Sequence, residues 1–205
     1  MKMKKVIGGC LLALSAGLST SVYAGGSVAL AYIPESNIEI DSDFGSGDVD
    51  GDGFSFQASF DITKSVFLYG DYFDREFEGN GESLDWKTGR LGVAFLIPNS
   101  PVWIGANLES IEIGFDGGSE DETGFGIRAG LRLPVGERFA FTGELGYSDI
   151  ADATALDGAL GFALTIQGGL GVFADARLTQ YEPDDDPDNI EFNLTDYRVG
   201  VRYDF

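Results

Sequence analysis

Apolar and polar residues alternate through nearly every stretch of this chain that is not turn-forming. In Phe54-Ser55-Phe56-Gln57-Ala58-Ser59-Phe60-Asp61-Ile62 the even positions are apolar and the odd ones polar. From Phe125 to Leu133 the parity reverses, with Phe125, Ile127, Ala129, Leu131 and Leu133 set against glycine and arginine. Phe139, Phe141, Leu145 and Tyr147 alternate with Ala140, Thr142, Glu144 and Ser148. Tyr197, Val199, Val201, Tyr203 and Phe205 alternate with Asp196, Arg198, Gly200, Arg202 and Asp204. A period of two places successive side chains on opposite faces of a strand; no window shows the helical period of about 3.6.

Ten such runs predict ten strands, near 26–33, 53–62, 66–77, 84–97, 102–113, 123–133, 139–149, 158–167, 170–181 and 191–205. Tight turns at Thr63-Lys64-Ser65, Pro98 to Pro101, Val135 to Arg138 and Gly168-Gly169 alternate with longer acidic stretches at 34–52, 114–122 and 182–190. The pair near 158–167 and 170–181 is the one on which a count of eight instead of ten would turn. Short turns at one end, long loops at the other and an even number of antiparallel strands describe an up-and-down transmembrane β-barrel. The distribution of charge separates this from a soluble sandwich. A sandwich hides its apolar faces between two sheets. Here the apolar face is almost uninterrupted while the opposite face mixes Gly, Ala, Ser and Thr with isolated charges, as for lipid outside and a polar lumen inside. Tyr32, Trp86, Trp103, Tyr147, Tyr197 and Tyr203 fall towards strand ends, where interfacial aromatic girdles are expected.

The first segment reads as an address. Lys2, Lys4 and Lys5 precede an apolar run from Val6 to Leu18, followed by Ser-Val-Tyr-Ala at 21–24. That order describes a secretory signal peptide at 1–24 cut after Ala24, leaving residues 25–205 as one barrel domain. Cys10 follows Ile-Gly-Gly, but almost no apolar region precedes it, which argues against lipid attachment. Cleavage would leave 205 − 24 = 181 residues with no cysteine, so no disulfide can form despite export.

Composition narrows the function. The chain has 34 acidic and 13 basic residues, a net charge of −21, and no histidine. The charge excludes a nucleic-acid partner, which would require clustered Lys and Arg. The missing histidine removes the Ser-His-Asp and Cys-His nucleophile systems and histidine-ligated zinc, so no enzyme is expected. Assigning the apolar parity to lipid sends Arg90, Arg128, Arg132, Arg177, Arg198 and Arg202 into the lumen with Asp61, Glu109, Glu144, Asp175 and Asp196. Asp71 would join them, although Phe67, Tyr69 and Phe73 share its parity. Such a set should pair in a low-dielectric interior, because an unpaired buried charge is costly. The expected result is a closed, salt-bridged lumen; the alternative is a narrow cation-preferring channel gated by the same network.

The remaining acids concentrate at the presumed outer rim, with seven between Glu35 and Asp52 and no base among them. Such a rim should recruit counter-ions. Asp48-Val49-Asp50-Gly51-Asp52-Gly53 also matches the opening of a calcium loop, D-x-D-x-D-G. The twelfth position is Ser59, not the bidentate Glu such a loop uses. Asp48, Asp50 and Asp52 are therefore candidate ligands for a weak, surface-facing Ca2+ and no more. The glycine-rich Gly124-Phe125-Gly126 and Gly168 to Gly171 have no helix after them to receive a phosphate.

The leader ending Val-Tyr-Ala, the alternating strands and the closing Tyr203-Asp204-Phe205 resemble small Gram-negative outer-membrane β-barrels of the OmpA, OmpX and opacity-protein type, porin-like in architecture. The resemblance implies residence in the outer membrane, contact with its lipid and lipopolysaccharide, and delivery by periplasmic chaperones. It also implies a monomer, and a C-terminal aromatic, Phe205, read by the barrel-insertion machinery. The best-known members have eight strands, where this chain has ten candidates.

Overall fold

A computed structural model describes residues 25–42, 45–79, 82–115, 118–151, 153–183 and 191–205. The stretch read as a leader lies outside the described residues. Ten strands follow in order: β1 (Gly26–Ser42), β2 (Gly45–Asp61), β3 (Val66–Gly79), β4 (Glu82–Leu96), β5 (Val102–Phe115), β6 (Gly118–Val135), β7 (Phe139–Ile150), β8 (Ala153–Gln167), β9 (Leu170–Pro183) and β10 (Glu191–Asp204). Each pairs antiparallel with its sequence neighbour, and β1 pairs with β10 to close the barrel. At the seam, Gly26 and Phe205 exchange two backbone hydrogen bonds of 3.0 Å.

The register fixes the barrel's size. Asp61 on β2 is opposite Phe67, and the partners continue through Ala94, Gly105, Arg128, Gly146, Asp157, Thr179, Leu194 and Ile38 to Val49. One circuit therefore returns to β2 displaced by 61 − 49 = 12 residues, the shear of the barrel. Ten strands at that shear and ordinary strand spacings tilt by about 40° and give a radius of about 10 Å. That width is what large inward side chains can fill.

All ten predicted runs are strands, but several are longer than the alternation suggested. The stretches 34–52 and 114–122, expected as loops, are largely strand: β1 runs to Ser42, β2 starts at Gly45, β5 runs to Phe115 and β6 starts at Gly118. Residues 182–183 continue β9, and 184–190 lie outside the described residues. The physical reason is inside. Ile38, Ile40 and Val49 pack within the upper barrel, so the acidic residues between them mark an outward face. Strands of 12–18 residues exceed the roughly 9–11 that cross a bilayer, and the surplus projects from the end opposite the short turns. The turn at Gly168-Gly169 has φ of 58° and 84°, the paired positive values that a two-residue hairpin requires and glycine supplies without strain.

A bulge reorders one strand. Between Ile33 and Ser36, β1 carries one residue more than either neighbour. Pro34 falls there, where it takes no hydrogen bond from the ladder. Inward positions shift from odd (Ala29, Ala31, Ile33) to even (Ser36, Ile38) across it.

The outer surface is apolar. Leu160, Phe125 and Leu145 are 76%, 73% and 68% exposed, among more than thirty large apolar side chains in the same state. A face of that kind is stable only against lipid. Tyr32, Tyr147, Tyr197 and Tyr203 lie on it as expected. Trp86 and Trp103 do not: both point inward, Trp86 buried and Trp103 lining a cavity.

Candidate functional site

The lumen is the site to which the alternation directs most of the chain's isolated charges, and it has three levels. At the end carrying the short turns, a cavity of 540 Å³ is lined on one side by Phe67, Tyr69 and Trp103 and on the other by Glu144, Asp175, Arg177 and Arg198. Its mouth carries Asp61, Arg132 and Arg202. The aromatic wall is mutually packed, with the Trp103 ring 5.8 Å edge-on from Phe67 and 5.6 Å from Tyr69. Glycine makes room for it. A Cβ at Gly130 would collide with the Trp103 ring, and one at Gly92 would lie 2.5 Å from Tyr69.

The middle level is a layer of paired charges. Strand register sets some partners directly opposite each other: Asp71 with Arg90, Arg90 with Glu109, and Asp175 with Arg198. Arg198 makes a bidentate contact to Asp175 at 2.7 and 2.9 Å. Arg90 reaches Glu109 at 2.8 Å, and Glu109 also accepts a 2.7 Å hydrogen bond from the Ser148 hydroxyl. Other pairs are not opposite in the register, and all but the diagonal Asp157–Arg177 contact between β8 and β9 cross between non-adjacent strands. Asp157 on β8 receives both Arg128 of β6, at 2.8 Å, and Arg177 of β9. Arg177 then contacts Glu144 of β7 at 2.7 Å. Arg75 of β3 holds Asp196 of β10 through two bonds. Planar guanidinium groups suit this, since each can bridge two carboxylates at fixed angles.

Phe73 stands at the centre of this layer and is fully buried. Four guanidinium carbons surround its ring, those of Arg75 at 4.7 Å, Arg198 at 4.9 Å, Arg177 at 5.4 Å and Arg90 at 5.8 Å. The electron-rich face of an aromatic ring attracts cations, and the attraction grows where water is excluded. The ring thus fills the volume between like charges that would otherwise repel each other across a void.

Beyond the charges, towards the long-strand end, the lumen is apolar. Ile38, Phe77, Trp86, Ile111, Ile150, Tyr181 and Leu194 form one buried cluster, with Trp86 and Tyr181 rings 5.3 Å apart. An apolar stopper inside the barrel was not expected from the alternation.

The inward parity places Arg90, Glu109, Arg128, Arg177, Asp196 and Arg198 buried in the network, with Glu144 and Asp175 at its cavity edge. Arg132 and Arg202 belong instead to the mouth, where both contact Asp204, at 3.4 and 2.6 Å. Asp61 is also at the mouth and makes no ion pair with any described residue. Its strand end holds it beyond the reach of the layer. Two central members, Arg75 and Asp157, are absent from the sequence-based set. In β3 the parity that the sequence left open faces inward, with Phe73, Arg75 and Phe77 all buried on the same face as Asp71, and Arg75 was missed because the aromatic residues on that face masked it. Asp157 falls just before the expected start of its strand, which in fact begins at Ala153.

Asp48, Asp50 and Asp52 do not form a loop. They lie at alternate positions of β2, facing outward, where extended backbone separates neighbouring members by about 6.6 Å and cannot turn them onto one ion. Asp50 accepts a 2.9 Å bond from Asn37, and Asp52 a 3.1 Å bond from the Tyr32 hydroxyl. Among the described residues, no group of three or more His, Cys, Asp or Glu is arranged to hold a metal. The outward acids form rows across strands instead. Asp52 is opposite Glu76, which is opposite Asp85; Asp74 is opposite Lys87, then Glu112, then Asp121.

No family model matches this chain, and no curated protein matches it. Solved structures do. The translocator domain of the autotransporter NalP from Neisseria meningitidis is 10% identical, with a TM-score of 0.51 over 97% of this chain and 95% of that one. Neisserial surface protein A is 13% identical, covering 89% of this chain and 97% of that one, TM-score 0.45. Ail, the attachment invasion locus protein of Yersinia pestis, is 12% identical, covering 90% and 100%, TM-score 0.43. At these identities the likeness is one of fold. The closed antiparallel sheet, the lipid-type exterior and the match to the NalP translocator domain together identify the chain as having the outer-membrane β-barrel fold.

Proposed function

We propose that this protein is a monomeric, plugged anchor of the outer membrane, which presents an acidic rim built from strand extensions to the outside. The observation that carries the reading is the double closure of the lumen. The charged layer packed around Phe73 and the apolar cluster from Ile38 to Leu194 together fill the barrel above the cavity. Both levels are built from buried side chains among the described residues, which supports a closed lumen, and small barrels commonly fill themselves in this way.

With the lumen closed, the interacting surface is the rim. Carboxylates directly opposite on neighbouring strands repel each other, and only Lys87, 3.7 Å from Glu112, intervenes among these rows. Divalent counter-ions would relieve that repulsion and would let the rim approach the phosphates of lipopolysaccharide, which it otherwise repels. Such ions would be held diffusely, without a formed coordination shell. Lipid and lipopolysaccharide are thus the proposed surroundings, with barrel-insertion machinery reading Phe205 on the way in. No catalytic role is proposed, because no histidine is present and the carboxylates at the centre of the layer, Glu109, Asp157 and Asp196, are committed to arginines.

The test is retention on lipopolysaccharide-coated surfaces with and without millimolar magnesium. Wild type should be retained only with magnesium. A variant carrying Asp52→Asn, Glu76→Gln, Asp85→Asn and Asp121→Asn should fold and lose that dependence. Equal, magnesium-dependent retention of the two would refute the rim as the contact surface.

A further inference from the structure

The cavity contains a carboxylate that the network leaves poorly served. Asp71 lines it with its side chain only 9% exposed. The Asp71 carboxylate accepts no hydrogen bond from any other described residue, and its Oδ1 is buried without a partner. The nearest cation, Arg90, stands off at 3.6 Å and is drawn away by Glu109 at 2.8 Å. A buried carboxylate in that state favours any donor that can reach it.

Two further features define what that donor would be. Between the mouth and the apolar cluster, seven arginines (75, 90, 128, 132, 177, 198 and 202) face eight acids (61, 71, 109, 144, 157, 175, 196 and 204), an excess of one negative charge. Beside Asp71 on the same inward face of β3 is Tyr69, packed with Trp103 and Phe67. Aromatic faces attract cations and also receive flat apolar groups. At 540 Å³ the cavity is in the range of small-molecule sites and blind at its inner end.

We infer that this cavity is a binding site for a small organic monocation, an ammonium group on a planar apolar body, with the ammonium at Asp71 and the body against Tyr69 and Trp103. Entry is from the short-turn end. The site is distinct from the proposed rim, and its failure would leave the plugged-anchor reading intact.

The chain has two tryptophans, so Trp86→Phe isolates Trp103 as a reporter at the cavity wall. The folded barrel in detergent micelles is titrated with benzylammonium chloride, benzyl alcohol, sodium benzoate and potassium chloride. A saturable change in Trp103 emission is expected with benzylammonium alone, weakened about tenfold or more by Asp71→Asn. Ala159 also lines the cavity, and Ala159→Phe, which keeps every charge, should abolish the response even if Asp71→Asn fails to fold. An equal response to benzyl alcohol or potassium chloride, no saturable response, or a response unchanged by Ala159→Phe would each overturn the proposal.

Discussion

Arg75 and Asp196, 121 positions apart in sequence and three strands apart around the barrel, meet in a bidentate pair at 2.9 and 2.6 Å, and both are buried. The Ser36 hydroxyl donates a third bond to the same carboxylate at 2.7 Å. The contact exists because the β1 bulge turns Ser36 inward and because β3 presents its odd residues to the lumen. Removing one member strands a charge that water cannot reach. Arg75→Leu alone should therefore destabilise the barrel by about 3–5 kcal/mol, whereas Arg75→Leu with Asp196→Leu should recover most of that loss. Urea midpoints in lipid vesicles, read by heat-modifiable gel migration, measure both. Equal losses in single and double variants would show that the pair itself carries the stability.

How much of this was legible beforehand depended on parity. Strands such as Phe125 to Leu133 present one apolar face, and alternation located them and their buried Arg128 directly. It failed where a strand is apolar on its inner face. In β3, Phe73 and Phe77 look like lipid-facing residues until the arginines around Phe73 are seen. It failed again at Pro34 and Glu35, where one extra residue reverses the inward set. The upper lumen was missed because Ile38, Ile40 and Val49 are interleaved with so many acids that the stretch resembles a solvated loop. The charged layer's members were largely readable; which strand each reaches depends on the shear of 12, which no local pattern contains.

Phe73 separates volume from charge. Phe73→Ala opens a void between four guanidinium groups and should cost about 3–5 kcal/mol. Phe73→Leu keeps most of the apolar volume but removes the ring face, so a smaller loss of about 0.5–2 kcal/mol is expected. The same urea series tests this ordering, and a leucine variant as stable as wild type would remove the cation–π contribution.

Gly130 offers a compensation test. A Cβ there runs into the Trp103 ring, so Gly130→Ala should lower the unfolding midpoint. Trp103→Leu in the same chain should relieve the collision, making the double variant more stable than the sum of the two single losses predicts. Strict additivity would mean that the ring moves aside freely.

The outward acids predict a salt effect of definite sign. Glu76 is flanked by Asp52 and Asp85 on neighbouring strands, so Glu76→Gln should stabilise the barrel by about 0.2–1 kcal/mol at low ionic strength. The gain should vanish in 1 M salt, where the screening length falls to about 3 Å. Unfolding midpoints at both salt concentrations give the comparison.

The central claim is that the barrel is closed, and planar-bilayer conductance of the folded protein tests it most directly. Heat-modifiable migration first establishes that the inserted material is folded. Wild type should then be silent, because Phe73 with its arginines and the cluster around Trp86 and Tyr181 block the lumen at two levels. Discrete, cation-selective conductance steps in the wild-type protein would contradict the account and make the charged layer the lining of a pore.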